Sequence, residues 1–361
     1  MYSKFAHLED FPSAFDAKTC VRRGLCPVTK MQPQGDEELE SHTLYFEQHG
    51  RGKNRIVFIM GLNSSSFSWL YQVRHFGTSG SERREEEVSK DEEDEDVDQD
   101  GGYTVLVFDN RGVGNSSTPV GPYSTSAMAE DVVALLDYVG WTEDRNLHVV
   151  GVSLGGMIAQ AYRIPNRITS LVLAVTTPGG YPWNNLPPLF GMASLAKFTF
   201  TPEVEKKAEI VLPMVYPLKW MKETAKDDPQ GRTNFEIEVE EFVYRVSVTR
   251  KQQFMGHFSQ MAAGLTHCVQ PDRLRQISQS IPKVTIVTGD EDNLIRISNS
   301  HRLKEAMPEA ELVQFEETGH GLHTQRKREF NRLIQRTIRE GSERLAKGWS
   351  TEKEYDFDYD F

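Results

Sequence analysis

The stretch GVSLGG, residues 151–156, sets a single hydroxyl, Ser153, among glycines between an apolar run (LHVV) and a helix-like run (MIAQAY). A serine at such a strand-to-helix turn is held in strained backbone, so Gly151 and Gly155 must be small, and its Oγ stands clear for nucleophilic attack. A serine hydroxyl is a weak nucleophile at neutral pH. It needs a base, and the base needs a carboxylate to orient it. TGDEDNL (288–294) offers Asp290 and Asp292, and EETGHGLH (316–323) offers His320 and His323. The chain order serine, aspartate, histidine is the one that this turn demands. His320, flanked by Gly319 and Gly321 just past the apolar run ELVQF, is the candidate base; the other histidines read as structural or exposed. Either aspartate could orient it.

Acyl transfer also requires donors for a developing oxyanion. One is the backbone N–H of Leu154, at the start of the helix that follows the serine. The second is expected from the loop after NRIVFIM (54–60), where Gly61 permits close approach and the N–H of Leu62 is the natural donor.

The elements that must hold these groups are legible as alternation. NRIVFIM (54–60), YTVLVFD (103–109), LHVVGV (147–152), SLVLAVT (170–176) and KVTIVTG (283–289) are apolar throughout and rich in β-branched residues. Amphipathic helical patterns separate them, for example Met128, Val132, Leu135, Leu136 and Val139, and later Phe330, Leu333, Ile334 and Ile338. Strands buried on both faces imply an α/β fold, a mostly parallel sheet covered by helices on each side. In such a sheet ligands bind at the carboxyl ends of the strands, and the candidate residues all follow strand ends. Residues 1–40 read as an N-terminal arm, mobile where Cys20 and Cys26 fall. Residues 41–177 and 271–345 read as two parts of one core, and 346–361 as a tail. Between them, 178–270 reads as a mostly helical insertion whose Phe190, Met192, Phe198, Phe200, Met214 and Trp220 either line a pocket or pack its own interior.

In Gly61-Leu62 with Trp69, DNRGVGNS (109–116), GVSLGG (151–156), GDED (289–292) and GHG (319–321), the sequence resembles the α/β-hydrolase superfamily, in its lid-bearing esterase and lipase-like branch. The resemblance spans about 55–340. It implies a nucleophile at Ser153, a base at His320 and an acid at Asp292, because the family's acid usually stands three residues beyond the glycine. It also implies that Asp109 and Arg111 are scaffold. Dehalogenases and epoxide hydrolases of the superfamily carry aspartate at the elbow, so Ser153 points instead to cleavage of an ester or thioester with an apolar acyl or aromatic group. Hydrolysis of a carbon–carbon bond, cofactor-free perhydrolysis and a non-catalytic binding role are the alternatives. The sequence departs from the family in Met60-Gly61, where His-Gly is common, and in a helix after the elbow about two residues short.

Composition sets the remaining limits. Net charge is −12, but SERREEEVSKDEEDEDVDQD (81–100) alone contributes −9, leaving a body near neutrality and no nucleic-acid-binding surface. That run, within an insertion at 79–102, is expected to be a disordered, solvated loop. No apolar run reaches the roughly 18–20 residues of a membrane span, and the N-terminal residues have no signal-peptide core, so a cytoplasmic protein is expected, with transient lipid-surface contact left open. Cys20, Cys26 and Cys268 make a poor disulfide framework, no His/Cys cluster has zinc spacing, and no phosphate- or dinucleotide-binding motif is present. No cofactor or metal is expected, the partner is a small-molecule substrate, and the oligomeric state is open.

Overall fold

The five apolar runs form strands because β-branched and aromatic side chains fill both faces of a pleated sheet. In the computed structural model, which describes residues 11–28, 42–78, 101–161, 163–226 and 228–350, they are β3 (Asn54–Ile59), β4 (Tyr103–Phe108), β5 (Leu147–Val152), β6 (Ile168–Ala174) and β7 (Lys283–Gly289). With β1 (Cys20–Pro27), β2 (Thr43–His49) and β8 (Glu311–Phe315) they build one eight-stranded sheet in the order β1-β2-β4-β3-β5-β6-β7-β8. β3 to β8 run parallel; β1 and β2 are antiparallel. The fold is α/β, as expected.

Alternation along each strand divides the core in two. Val57, Ile59, Leu106 and Phe108 join Met128, Val132 and Leu135 of helix α2 (Thr125–Tyr138) on one face. Ile56, Phe58, Val105 and Val107 join Val73 and Phe76 of α1 (Leu70–Gly77) and the apolar stripe Phe330, Leu333, Ile334 and Ile338 of the long helix Lys327–Ala346 on the other. The helix after the elbow, α3 (Leu154–Gln160), is only seven residues long, in keeping with the shortened sequence there.

The N-terminal arm needs correction. Residues 20–27, expected to be mobile, pair with β2 from Cys20–His49 to Pro27–Thr43, and Cys26 is fully buried. Phe11 and Phe15 are buried as well, Phe15 edge-on to Phe67 and His49. CVRRGLCP has no apolar run or strict alternation because an edge strand exposes much of its length, so its pattern is weak. The acidic run falls outside the described residues.

Between Gly179 and Cys268 the described residues form five α-helices: α4 (Leu189–Phe200), α5 (Val204–Val215), α6 (Leu218–Lys222), α7 (Asn234–Ser247) and α8 (Phe254–Thr266). This cap leaves and rejoins the sheet at one point, where the Val269 N–H donates to the Pro178 carbonyl and Gly179 bridges Cys268. It has its own small interior of Ala208, Leu212, Tyr216 and Met221. Among the described residues, no helix is long and apolar enough to cross a membrane.

Two measurements test this packing. A Cβ on Gly155 would lie 2.0 Å from the Ile59 carbonyl oxygen, whereas one on Gly264 in α8 would meet nothing nearer than 4.0 Å. In urea melts Gly155→Ala should lose several kcal/mol, while Gly264→Ala should be neutral or gain up to about 1 kcal/mol from helix propensity; equal stabilities would contradict the close approach. Second, burial pushes His148, His267 and His323 each down to about 3. An unfolded histidine titrates near 6.5, so below that pH the unfolded chain binds protons that the folded chain refuses. Stability should therefore fall as pH drops from about 6.5 towards 4, by up to about 1.4 kcal/mol per pH unit for each histidine. Asp109, raised to about 6 by burial, acts in the opposite direction below pH 6 but is outnumbered. His148→Gln should flatten the slope by about one proton, whatever its effect on absolute stability; an unchanged slope would refute the assignment.

Candidate active site

At the end of β5 the backbone turns on Ser153, whose φ of 57° and ψ of −121° lie where L-residues rarely settle. The surroundings hold it there. The Ser153 N–H donates to the Ala174 carbonyl (2.9 Å), and the Ser153 carbonyl accepts from Gly156 N–H (2.9 Å), Met157 N–H (3.1 Å) and the Thr176 hydroxyl (2.8 Å). Glycine is required on both sides: a Cβ on Gly151 would strike the Gly155 carbonyl at 2.5 Å, and one on Gly156 the Thr176 side chain at 2.7 Å. Gly61 lies beside the serine, its missing Cβ 3.0 Å from Ser153 Cβ and 3.5 Å from Oγ. The loop carrying Leu62 therefore runs alongside the hydroxyl. Leu154, buried, is the first residue of α3, where backbone N–H groups have no partner within the helix.

The two carboxylates separate cleanly. The Asp292 side chain is fully buried and its Oδ2 lies 2.8 Å from His320 Nδ1. Its Oδ1 accepts the N–H groups of Leu294 (2.7 Å) and Ile295 (2.9 Å). A carboxylate accepting on both oxygens fixes the proton of His320 on Nδ1 and leaves Nε2 as a lone pair. Asp290 instead accepts the Thr318 N–H at 3.0 Å, tying the loop after β7 to the loop that carries His320. His323 faces the other way, its ring 5.1 Å from Trp69, and burial pushes it down to about 3. The structure thus brings His320 and Asp292 together and keeps Asp290 and His323 apart from them.

Asp109 and Arg111 are scaffold in geometry. Buried Asp109 accepts the Ser66 N–H (2.6 Å) and the Asn115 N–H (2.7 Å), and Arg111 makes a two-pronged contact with Asp131. Asn110 donates to the Met60 carbonyl at 2.9 Å, and the Met60 side chain joins the apolar core. That carbonyl anchor and the core packing hold the loop where the family often carries histidine.

Sequence reasoning missed what the cap adds. Gln260 of α8, fully buried, accepts the Asn63 N–H at 2.8 Å and donates to the Arg111 carbonyl at 2.7 Å. Gly191 of α4 sits where a Cβ would lie 2.4 Å from the Asn293 carbonyl, next to Asp292. The Gly321 N–H, beside His320, donates to the Val215 carbonyl at 2.8 Å, and Tyr216 presses on Gly321 so closely that a Cβ would be 2.4 Å away. Tyr216 in turn donates to the buried Glu238 (3.0 Å), whose carboxyl burial pushes up. Single polar residues in a helical pattern carry no signal of such pairings. Of the aromatic and Met side chains singled out in the cap, Met214 is buried and Trp220 packs on Tyr216, whereas Phe190 and Phe200 are exposed. None of Ser153, Asp292 and His320 belongs to a grouping of metal-ligating side chains among the described residues.

Comparison with known proteins agrees with this geometry. The sequence profile for the alpha/beta hydrolase fold matches residues 54–326. A poly(3-hydroxyalkanoate) depolymerase of Ectopseudomonas oleovorans is 30% identical over 211 residues, 58% of this chain and 65% of that protein's length, just short of two thirds. A 2-hydroxy-6-oxononadienedioate/2-hydroxy-6-oxononatrienedioate hydrolase of Burkholderia vietnamiensis is 27% identical over 304 residues, covering 82% of this chain and 91% of the relative. Among solved structures, a thermophilic esterase of Thermogutta terrifontis superposes with a TM-score of 0.61 at 18% identity, covering 89% of this chain and 99% of the other. With a family match over most of its length and a sheet, elbow and strand-end loops of the corresponding kind, the chain belongs to the alpha/beta hydrolase fold family.

Proposed function

We propose that the protein is a serine hydrolase that cleaves a carboxylic ester or thioester through an acyl-enzyme on Ser153. The observation that carries the reading is the 2.8 Å contact between His320 Nδ1 and buried Asp292, on the same sheet edge as the positive-φ serine. In the forward step Ser153 Oγ attacks the substrate carbonyl and His320 Nε2 takes its proton. The carbonyl π electrons move to oxygen, which the N–H groups of Leu62 and Leu154 stabilise. His320 then protonates the departing alcohol or thiol as the acyl–heteroatom bond breaks. Water, deprotonated by the same imidazole, releases the acid and restores Ser153. Asp292 remains ionised throughout and stabilises the imidazolium. Gly61, Gly151 and Gly155 serve as the close-packed support, and the chemistry calls for no cofactor or metal.

An apolar acyl or aromatic group is favoured by the apolar side chains that the cap leaves exposed, Leu189, Phe190 and Phe200 on α4 and the stacked pair Tyr181 and Trp183. The likeness to a depolymerase and to an esterase supports ester cleavage. A second reading, hydrolysis of a carbon–carbon bond next to a carbonyl by the same residues, draws on the likeness to a meta-cleavage product hydrolase of Pseudomonas fluorescens (TM-score 0.59, 18% identity).

A fluorophosphonate probe should label the wild type, and Ser153→Ala should abolish labelling and lower turnover of aryl esters by several orders of magnitude. Labelling that persists in Ser153→Ala would eliminate the assignment, and an unlabelled wild type would favour a binding protein. A panel of aryl esters, thioesters and vinylogous diketones separates the two bond types. Asp292→Asn should reduce turnover by about 10⁴-fold, because the imidazole is then held in the wrong tautomer. Asp290→Asn, which alters a loop tie, should act mainly on stability. At equal folded concentration, a larger turnover loss for Asp290→Asn would reverse the roles.

A further inference from the structure

Antiparallel pairing at the far edge of the sheet sets three metal-ligating side chains side by side. Cys20 opens β1 directly opposite His49 of β2, and Glu47 lies two residues back on the same face as His49. The Cys20 Sγ, a Glu47 carboxylate oxygen and a His49 ring nitrogen all lie within 4.8 Å of one another, with Cys20 half-buried and the other two buried.

The hydrogen bonds around this group leave one position unaccounted for. The Thr19 hydroxyl lies 2.9 Å from the Asp16 carbonyl, to which it donates, and in that arrangement it accepts from His49 Nδ1 at 2.8 Å. Nδ1 therefore carries the proton, and neutral His49 has its lone pair on Nε2. Nε2 is buried without a hydrogen-bond partner. It stands 3.5 Å from Glu47 Oε2, beyond the usual hydrogen-bond length but within ion-pair reach. Glu47 Oε1 is already engaged by Ser13 Oγ (2.7 Å) and the Tyr45 hydroxyl (2.7 Å), so the open oxygen is the one facing the imidazole. With the imidazole neutral, these two lone-pair atoms face each other in a buried setting and repel unless a proton or a metal cation lies between them. The second-layer contacts, Thr19 on the imidazole and Ser13 and Tyr45 on the carboxylate, are of the kind that orients metal ligands.

We propose that Cys20, Glu47 and His49 form a binding site for a thiophilic divalent cation of the zinc class. A thiolate, an imidazole and a carboxylate together suit Zn²⁺ better than Mg²⁺ or Ca²⁺. Bonds of about 2.0–2.3 Å require the ligand atoms to close in by about 1 Å. The irregular pairing between Cys20 and Arg22 gives the thiol end freedom to do so. On binding, the Cys20 S–H bond breaks, its proton leaves to solvent and the sulfur pair forms the metal bond. Water completes the shell on the half-exposed side. The ion ties the start of β1, and with it the buried Phe15 against His49, to β2. The site is independent of Ser153 chemistry.

The test uses the full chain, reduced and stripped with chelator, titrated with Co²⁺ alone. One Co²⁺ per chain should bind and give a near-ultraviolet thiolate-to-cobalt band that Zn²⁺ displaces. Cys20→Ser, at a half-exposed strand start, should fold and lose the band, and Cys268→Ser should keep it. Zn²⁺ should raise the Tm of the wild type but not that of Cys20→Ser. A wild type without the band would overturn the proposal in favour of a protonated His49 paired with Glu47. So would a band that survives Cys20→Ser or vanishes with Cys268→Ser.

Discussion

The site rests on the contact between two backbones that no side chain could interrupt. Gly155, the second residue of α3, lies so near the Ile59 carbonyl that a methyl group would overlap it, and Gly151 and Gly156 are constrained in the same way by α3 and Thr176. This approach presses the helix after the elbow onto β3 and forces Ser153 to absorb the sharp reversal at positive φ. It also brings the loop after β3 alongside the hydroxyl, with Gly61 in contact with Ser153. One steric requirement therefore fixes the serine and the loop of the second proposed oxyanion donor together. The strain at Ser153 is held by four hydrogen bonds, two from the first turn of α3 and two to Ala174 and Thr176 at the end of β6.

The remaining strand-end loops are held from above. α4 meets the Asp292 loop through Gly191, α5 and Tyr216 meet the His320 loop through Gly319 and Gly321, and α8 meets the Gly61 loop through Gln260. The cap thus does more than cover a cleft. It supplies the upper half of the packing that positions three separate loops, while the sheet supplies the lower half.

This division explains what the sequence made readable. The elbow, the aspartate pair and the glycine-flanked histidine are each local signals, written within a few residues at a strand end, so Ser153, His320 and the pair Asp290 and Asp292 stand out as candidates, and only the family spacing singles out Asp292. The parallel strands were readable because burial on both faces leaves unbroken apolar runs. β1 was not, because an edge strand mixes Arg22 and Arg23 with Cys26 and matches no simple period. Gln260, Tyr216 and Glu238 were invisible for another reason: their roles depend on partners some 20 to 200 residues away, and nothing in their own segment marks them. The Cys20–Glu47–His49 grouping is likewise set by cross-strand register, not by spacing along the chain.

The bridging amide of Gln260 has a kinetic meaning. Its oxygen and nitrogen satisfy the Asn63 N–H and the Arg111 carbonyl at once, in a place with no exposed surface. Lifting the cap as a rigid body would strand both backbone groups and the amide, at about 1–3 kcal/mol for each unpaired group. Whole-cap hinging is thereby disfavoured, and the Thr199–His257 contact at 2.9 Å, which ties α4 to α8, makes the cap resist in the same direction.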